Sequence, residues 1–312
     1  MGLVEGHNVP LCWRDRTMAK AKKDHYQMIT DQVIALMEEH GSDWTNPMVS
    51  GTVGGWPTNP VTGKRYNGIN VALLLMAGGG HWATYKQWAT KGCQVKKGEK
   101  ATGIVFFKRI EVKDKLDPTK TDTIPMLRGY SVFRADQVDG EFAEQFNAPA
   151  EDRRDETVQI DAVNDWVAAT GADIRTVDGG RAFYSPASDS IQMPPRSGFD
   201  ATSTSTATET YHSTLLHELG HWTGHKSRLD RLAAKNQHGY AFEELVAELA
   251  AAYQCVELGV SSAPRPDHAQ YLNGWLEALK NDKRLIVKAA SKAQAAVDFI
   301  ADLQDAQVEE AA

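Results

Sequence analysis

The sequence predicts an α+β protein of two domains, on three observations. Apolar residues at helical spacing surround a His-Glu-x-x-His segment at residues 217–221. Two runs rich in β-branched and aromatic residues, at 103–108 and 129–133, read as paired strands. Charge is the third: residues 64–115 hold 11 Lys/Arg against 3 Asp/Glu, a net +8 inside a chain of net −7, leaving −15 elsewhere. At 312 residues the chain is long enough for two domains, each with its own core. We place them at residues 18–145 and 157–305, with the Asp/Glu/Ala/Pro-rich run 146–156 as linker.

The elements follow in order. Met18 followed by a Lys/Ala run reads as a natural start, so residues 1–17 are taken as an optional extension. Ile29, Val33, Ile34, Leu36 and Met37 mark an amphipathic helix over 24–40, stopped by Gly41. A loop carrying Trp44, Pro47, Gly54 and Trp56 follows, and Tyr66–Asn70 leads into a second, apolar helix. Aromatic and polar residues alternate from Trp82 to Trp88, ahead of a basic turn over 95–100. Between the strands at 103–108 and 129–133, the polar segment 113–123 reads as a flexible excursion.

In the second half, 181–186 and 189–194 read as short strands joined by a turn, with Ile191–Met193 as the edge that would pair with an extended peptide. The Ser/Thr cluster at 202–208 offers N-caps for a helix over 211–222, which Gly224 is placed to end. A second helix is expected over 241–253.

That first helix carries the chemistry. Its two histidines, four residues apart, lie on one face, so both imidazoles can share one ion, and Zn2+ suits that donor set, with other divalent transition metals as alternatives. Glu218 projects beside the ion, where its carboxylate can take a proton from water. A third ligand is required. His225 is too far along a continuous helix, about 12 Å from His217, and position 227, where an extended motif would carry histidine, is Ser227. Glu244 and Glu248 share a face of the second helix, as in zincins whose third ligand is a glutamate on a following helix. Glu244 is read as the ligand and Glu248 as the group orienting an imidazole, with the reverse assignment as the alternative. His238 and Tyr240 are candidates to stabilise an oxyanion.

Membrane-spanning and secreted classes are disfavoured: the run 69–77 is too short to span, and the N-terminus lacks an apolar signal core. Cys12, Cys93 and Cys255 form no CxxC pair, which suits a reducing cytoplasm and makes them poor zinc ligands. Cations interleaved with aromatic rings suit a single-stranded nucleic acid, through phosphate contacts and base stacking. The candidates are Lys64, Arg65, Tyr66, Asn70, Trp82, Tyr85, Lys86, Lys96, Lys97 and Lys100. Buried rings and solvated lysines are the alternative explanation of the same pattern.

Longer stretches carry a family resemblance. Residues 66–70, 82–87 and 92–100, then Val132-Phe133 with Gln137, closely resemble the N-terminal domain of ArdC antirestriction proteins, a domain shared with plasmid TraC primases. Residues 217–225, 227–229 and 243–249, and the tail from Tyr271 to Ala296, resemble the rest of that family, so the likeness covers about 24–303. It implies a cytoplasmic protein encoded by a plasmid or phage, with an N-terminal α+β single-stranded DNA-binding domain and a C-terminal zincin-like metallopeptidase domain. Such proteins protect incoming DNA from host restriction during transfer. The family pattern carries zinc binding onto His217 and His221 and supports Glu244. Arg134, where a polar Asn is expected, and Cys93 depart from the pattern. Two further functions fit the same residues: a DNA-directed protease acting on a restriction or other DNA-bound protein, and a DNA-coating protein whose zinc is purely structural.

Overall fold

The computed structural model describes residues 24–41, 55–113, 121–147, 156–202, 205–232, 237–260 and 268–311. The expectations for residues 1–17, Cys12, the Trp44 loop and most of the 146–156 linker lie outside these.

Helix α1 (His25–His40) starts where Asp24 accepts the N–H groups of Tyr26 and Gln27, and Gly41 ends it with φ 60°. It buries Ile29, Val33 and Met37 on one face. Helix α2 (Ile69–Met76) is apolar on nearly every side, which places it in the interior. Next come β1 (Trp82–Thr84), α3 (Tyr85–Thr90), β2 (Gln94–Val95), β3 (Thr102–Lys113), β4 (Thr121–Arg134), β5 (Val138–Asp139) and α4 (Glu141–Glu144). β1, β4 and β3 form one antiparallel sheet in that order, and β2 pairs with β5. The expected strand pair is present but longer than predicted. Its register runs unbroken from Thr102↔Val132 to Lys113↔Thr121, so Lys113 and residues 121–123, expected in the excursion, belong to the ladder, while 114–120 lie outside the described residues. Cross-strand pairing overrides the polar composition there.

The second half comprises α5 (Glu156–Ala168), β6 (Asp173–Thr176), β7 (Phe183–Ser185), β8 (Ser190–Met193), α6 (Ala207–Trp222), α7 (Gln237–Leu258), α8 (His268–Asn281) and α9 (Leu285–Ala311). Thr206 caps α6 in a capping box with Glu209, four residues earlier than the helix read from the sequence. The sheet order is β6-β8-β7, parallel on one side and antiparallel on the other. This corrects the expected substrate edge: Ile191–Met193 lies in the central strand, and the edge nearest α6 is β7. A two-strand hairpin is expected from the sequence, and the parallel partner β6 escapes that reading because Asp173, Arg175 and Thr176 are exposed and give no apolar alternation.

The expectation of a separate core for each half is also corrected. One apolar cluster runs from Ile29, Val33 and Met37 of α1 through α2 into Tyr253, Trp275 and Ala289. Two smaller clusters, around Trp88 and around Trp82, belong to the N-terminal half alone. Gly68 sits at the joint with φ 56°, a conformation that favours glycine. Its carbonyl accepts from the Tyr253 hydroxyl (3.0 Å) and its N–H donates to Gln294 (3.1 Å). Across the joint, Thr30 donates to Lys283 O, and Lys283 and Lys280 pair with Asp24 and Glu38.

Candidate metal centre

Helices α6 and α7 pack closely because Gly220 presents no side chain. A Cβ there would lie 3.3 Å from Ala247 Cα and 3.4 Å from Ala250 Cβ. The glycine inside the His-Glu-x-x-His segment is therefore what lets α7 bring its carboxylates against the imidazoles of α6.

The donor atoms converge. The Nε2 atoms of His217 and His221 face each other at 3.1 Å. Glu244 places Oε1 3.4 Å from the His221 Nε2 and Oε2 3.6 Å from the His217 Nε2. Ligand atoms held about 2.1 Å from one tetrahedral ion stand about 3.4 Å apart, so these separations match a single divalent ion. His217, His221 and Glu244 are the metal-competent group found among the described residues, with ligand atoms all within 4.8 Å of one another.

Each imidazole is backed by a second carboxylate. His217 Nδ1 lies 3.3 Å from Glu248 Oε2, and His221 Nδ1 lies 3.4 Å from Glu243 Oε1. Glu248 thus lies beside the His217 imidazole, and Glu243, which the sequence reading did not single out, lies beside that of His221. Glu243 is gripped in turn by Arg231, through Nη2 to Oε1 at 2.9 Å and Nε to Oε2 at 3.2 Å. The same guanidinium donates to Thr223 Oγ1 and Gly220 O, both in the last turn and cap of α6. Glu244 faces both imidazoles from the Nε2 side, whereas Glu243 meets His221 from its Nδ1 side. Helical spacing alone does not indicate this.

Electrostatics follow the crowding. Burial opposes the imidazolium of His221, but Glu243, Glu244 and Glu218 outweigh it and hold its pKa up to about 10. Burial likewise opposes ionisation of Glu244, yet hydrogen bonds from His217 and His221 hold its carboxyl far below the usual range. These carboxylates favour a proton on His221 when no metal is bound.

Glu218 is buried and its Oε2 accepts the backbone N–H of Tyr184 at 2.8 Å, tying it to strand β7. That strand is fixed by Arg228, whose guanidinium forks onto Asp189, donates through Nε to Trp222 O, and lies 3.8 Å over the Trp222 ring. The Tyr184 hydroxyl donates to Asp189 at 2.8 Å, and Arg228 holds the Asp189 carboxyl down at about 2. His225 belongs to this cluster, 2.7 Å from Ser227 Oγ, and takes no part in the triad. Neither oxyanion candidate is placed: the His238 side chain is outside the described set, and Tyr240 is largely exposed.

The nucleic-acid candidates divide. Lys64, Arg65, Lys86, Lys96, Lys97 and Lys100 are exposed, as is Tyr85. Arg65 lies 4.2 Å over the Trp56 ring and pairs with Glu257, and Lys96 donates to Asp136 O. Three candidates are corrected. Trp82 is 2% exposed and donates its indole N–H to Gly79 O, so no ring face is free to stack. Asn70 clamps the free edge of β3, bonding both N–H and C=O of Val105. Tyr66 is half-buried and donates to Trp82 O. The departure at Arg134 is accommodated: it forks onto Asp136, donates to Ala77 O and reaches over Trp82. Cys93 and Cys255 are buried free thiols outside the triad.

No helix among the described residues is long and apolar enough to cross a membrane. Residues 23–133 match the model of the N-terminal domain of anti-restriction factor ArdC, and 161–292 match that of a zincin-like metallopeptidase. The chain is 37% identical to a DNA primase TraC of Escherichia coli, over 94% of this chain but 28% of the primase. It therefore spans under a third of that relative. It is also 37% identical to the uncharacterized protein y4eC of Sinorhizobium fredii, over 94% of this chain and 96% of that protein. The metal-free crystal structure of antirestriction ArdC from plasmid R388 superposes with a TM-score of 0.75 at 38% identity, covering 91% of this chain and 99% of that one. Its Mn(II)-bound form gives 0.72 at 40% identity, over 90% and 98%. With a two-domain α+β fold, a centre built for a divalent metal and a near-full-length likeness to that antirestriction protein, the chain belongs to the ArdC family.

Proposed function

We propose that this is an antirestriction protein whose N-terminal half, residues 18–145, binds single-stranded DNA and whose C-terminal half, 157–305, is a metallopeptidase-type hydrolase. It would act in the cytoplasm on DNA entering by plasmid transfer. His217, His221 and Glu244 hold the metal, and Zn2+ suits this two-nitrogen, one-carboxylate set. The observation that carries the reading is the set of donor separations, 3.1, 3.4 and 3.6 Å, in a pocket lined by further carboxylates.

When bound, the ion supplies Lewis acidity and lowers the pKa of water in the site. The chain's own residues do the rest. Glu243 accepts from the Nδ1–H of His221 and Glu248 lies 3.3 Å from His217 Nδ1, so each carboxylate favours the imidazole orientation that turns Nε2 to the ion. Glu218 accepts the proton lost by the attacking water and returns it to the leaving amine. The N–H of Tyr184 holds that carboxylate against β7. The basic half confines such chemistry to proteins sitting on the strand, whether restriction or crosslinked proteins.

The test uses the purified full-length protein with one zinc per chain and a protein substrate bound to single-stranded DNA. Glu218→Gln should abolish cleavage while metal content and DNA affinity stay unchanged. Equal cleavage by the variant rules out the assigned base. Transfer protection that survives Glu218→Gln instead favours a coating protein with a structural metal.

A further inference from the structure

We infer that the exposed rings of the β3–β4 hairpin, Phe106 and Tyr130 with Arg128 beside them, form the base-stacking surface for the single strand. The inference rests on the proposed DNA-binding reading and gives it an address that the corrected candidates Trp82, Tyr66 and Asn70 do not.

Register places the three together. Ile104 pairs with Tyr130 and Phe106 with Arg128, so all four side chains project from one face of the hairpin. The base of that face is core: Ile104 and Val132 are buried beside Leu74 and Trp82. Two residues further along, the same face turns outward. Phe106 is 54% exposed and Tyr130 42%, with ring centroids 6.3 Å apart and nearly perpendicular planes. The edge-on contact fixes both rings while leaving much of each in water. A buried role for these rings is excluded by their exposure, and exposed aromatic clusters of this kind mark binding surfaces.

The chemistry of the surroundings selects the ligand. Residues 101–107 and 127–134 contain no acid, and of their two arginines Arg128 is exposed while Arg134 is held by Asp136. The segment leading into β3 adds Lys96, Lys97 and Lys100, all exposed. Rings flanked by cations suit a polyanion with unpaired bases: each base has a π face for stacking, and the phosphates meet the cations. A duplex hides its base faces, so the preference is for single strands.

The experiment measures anisotropy of fluorescein-labelled oligothymidine with full-length protein over a range of salt. Phe106→Ala and Tyr130→Ala should each weaken binding about five- to a hundredfold, with the slope of log K against log salt unchanged. Phe106→Trp should retain affinity. Lys97→Ala and Lys100→Ala should instead flatten the slope. As a measurement that needs no variant, ultraviolet crosslinking of wild-type protein should map to residues 101–107 and 127–134. Wild-type binding with an unaffected Phe106→Ala/Tyr130→Ala double variant overturns the surface and leaves the DNA reading standing. The same variant binding normally but sedimenting as a smaller species would reassign the rings to self-association. Absence of wild-type binding at low salt overturns both.

Discussion

The two halves of this molecule treat charge in opposite ways. In the metal centre, His217, Glu218, Glu243, Glu244 and Glu248 are buried where α6 packs on α7, with Tyr184 of β7 and Arg231 of the following loop closing the site. In the N-terminal half, Lys64, Lys86, Lys97 and Lys100 stand at the surface, and the structural work is done by buried Trp82 and Trp88 and by half-buried Asn70. Burial without a cation is costly for a cluster of acids, so the first arrangement is specific for one small, highly charged ion. Exposed cations act over a Debye length and favour an extended polyanion without fixing its position. One half is preorganised around a point, the other along a line.

The largest effect that would break this contrast comes from the ligand set. Glu244→Ala should reduce zinc content after dialysis from one per chain to near none and remove the rise in Tm on adding zinc. Retained metal would move the ligand role to Glu248, the reverse assignment. Next is the outer shell. Arg231→Met leaves Glu243 buried without its guanidinium, and breaking such a pair costs about 3–5 kcal/mol, read by urea denaturation of the metal-free protein. Glu243→Gln should cost less stability but weaken zinc binding about 10–100-fold in a chelator competition. Unchanged affinity would mean that His221 is positioned by packing alone.

How much of this was legible varies with how local the information is. His217, His221, Glu244 and Glu248 were readable because helical spacing converts sequence separation into a shared face. Glu243, Arg231 and the Tyr184 N–H were not, since each meets the site through tertiary placement: Arg231 from the loop after α6, Tyr184 from β7. Strand order escaped for the same reason. Nothing local told Ile191–Met193 that β6 would cover its second edge. In the N-terminal half the sequence could not separate a stacking ring from a core ring. Trp82 and Phe106 are both aromatics beside cations, and only burial, 2% against 54%, distinguishes them.

A smaller, diagnostic effect is in pH. In the metal-free site the pKa of His221 stands at about 10, above an unfolded value near 6.5, because the carboxylates around it outweigh burial. Its proton therefore stabilises the metal-free fold fully below about pH 6.5, and that contribution is lost as pH rises through about 10. Zinc must displace this proton, so its affinity should rise with pH by up to tenfold per unit across that window. Calorimetry at pH 7.5 in buffers of different ionisation enthalpy should show about one proton released per zinc. No release would mean that His221 is already neutral, and the carboxylate cage would not be the electrostatic trap described above.

The smallest expected effect is at the joint, where the two kinds of charge meet. Arg65 is a cation of the basic half, but its guanidinium is engaged by Glu257 on α7, the helix that also carries Glu244. Exposed pairs of this type contribute about 0–1 kcal/mol, and the joint has stronger means of cohesion in the apolar cluster shared by α1, α2, α7 and α9. A double-mutant cycle of Arg65→Ala and Glu257→Ala in urea should therefore give a coupling under about 1 kcal/mol that declines with added salt. Because Glu257 already holds this guanidinium, Arg65→Ala should also lower oligothymidine affinity less than Lys97→Ala. If the Arg65 variant proves the weaker binder, the strand must displace Glu257 on arrival. The contact between the halves would then be where DNA and the metal-bearing helix first meet.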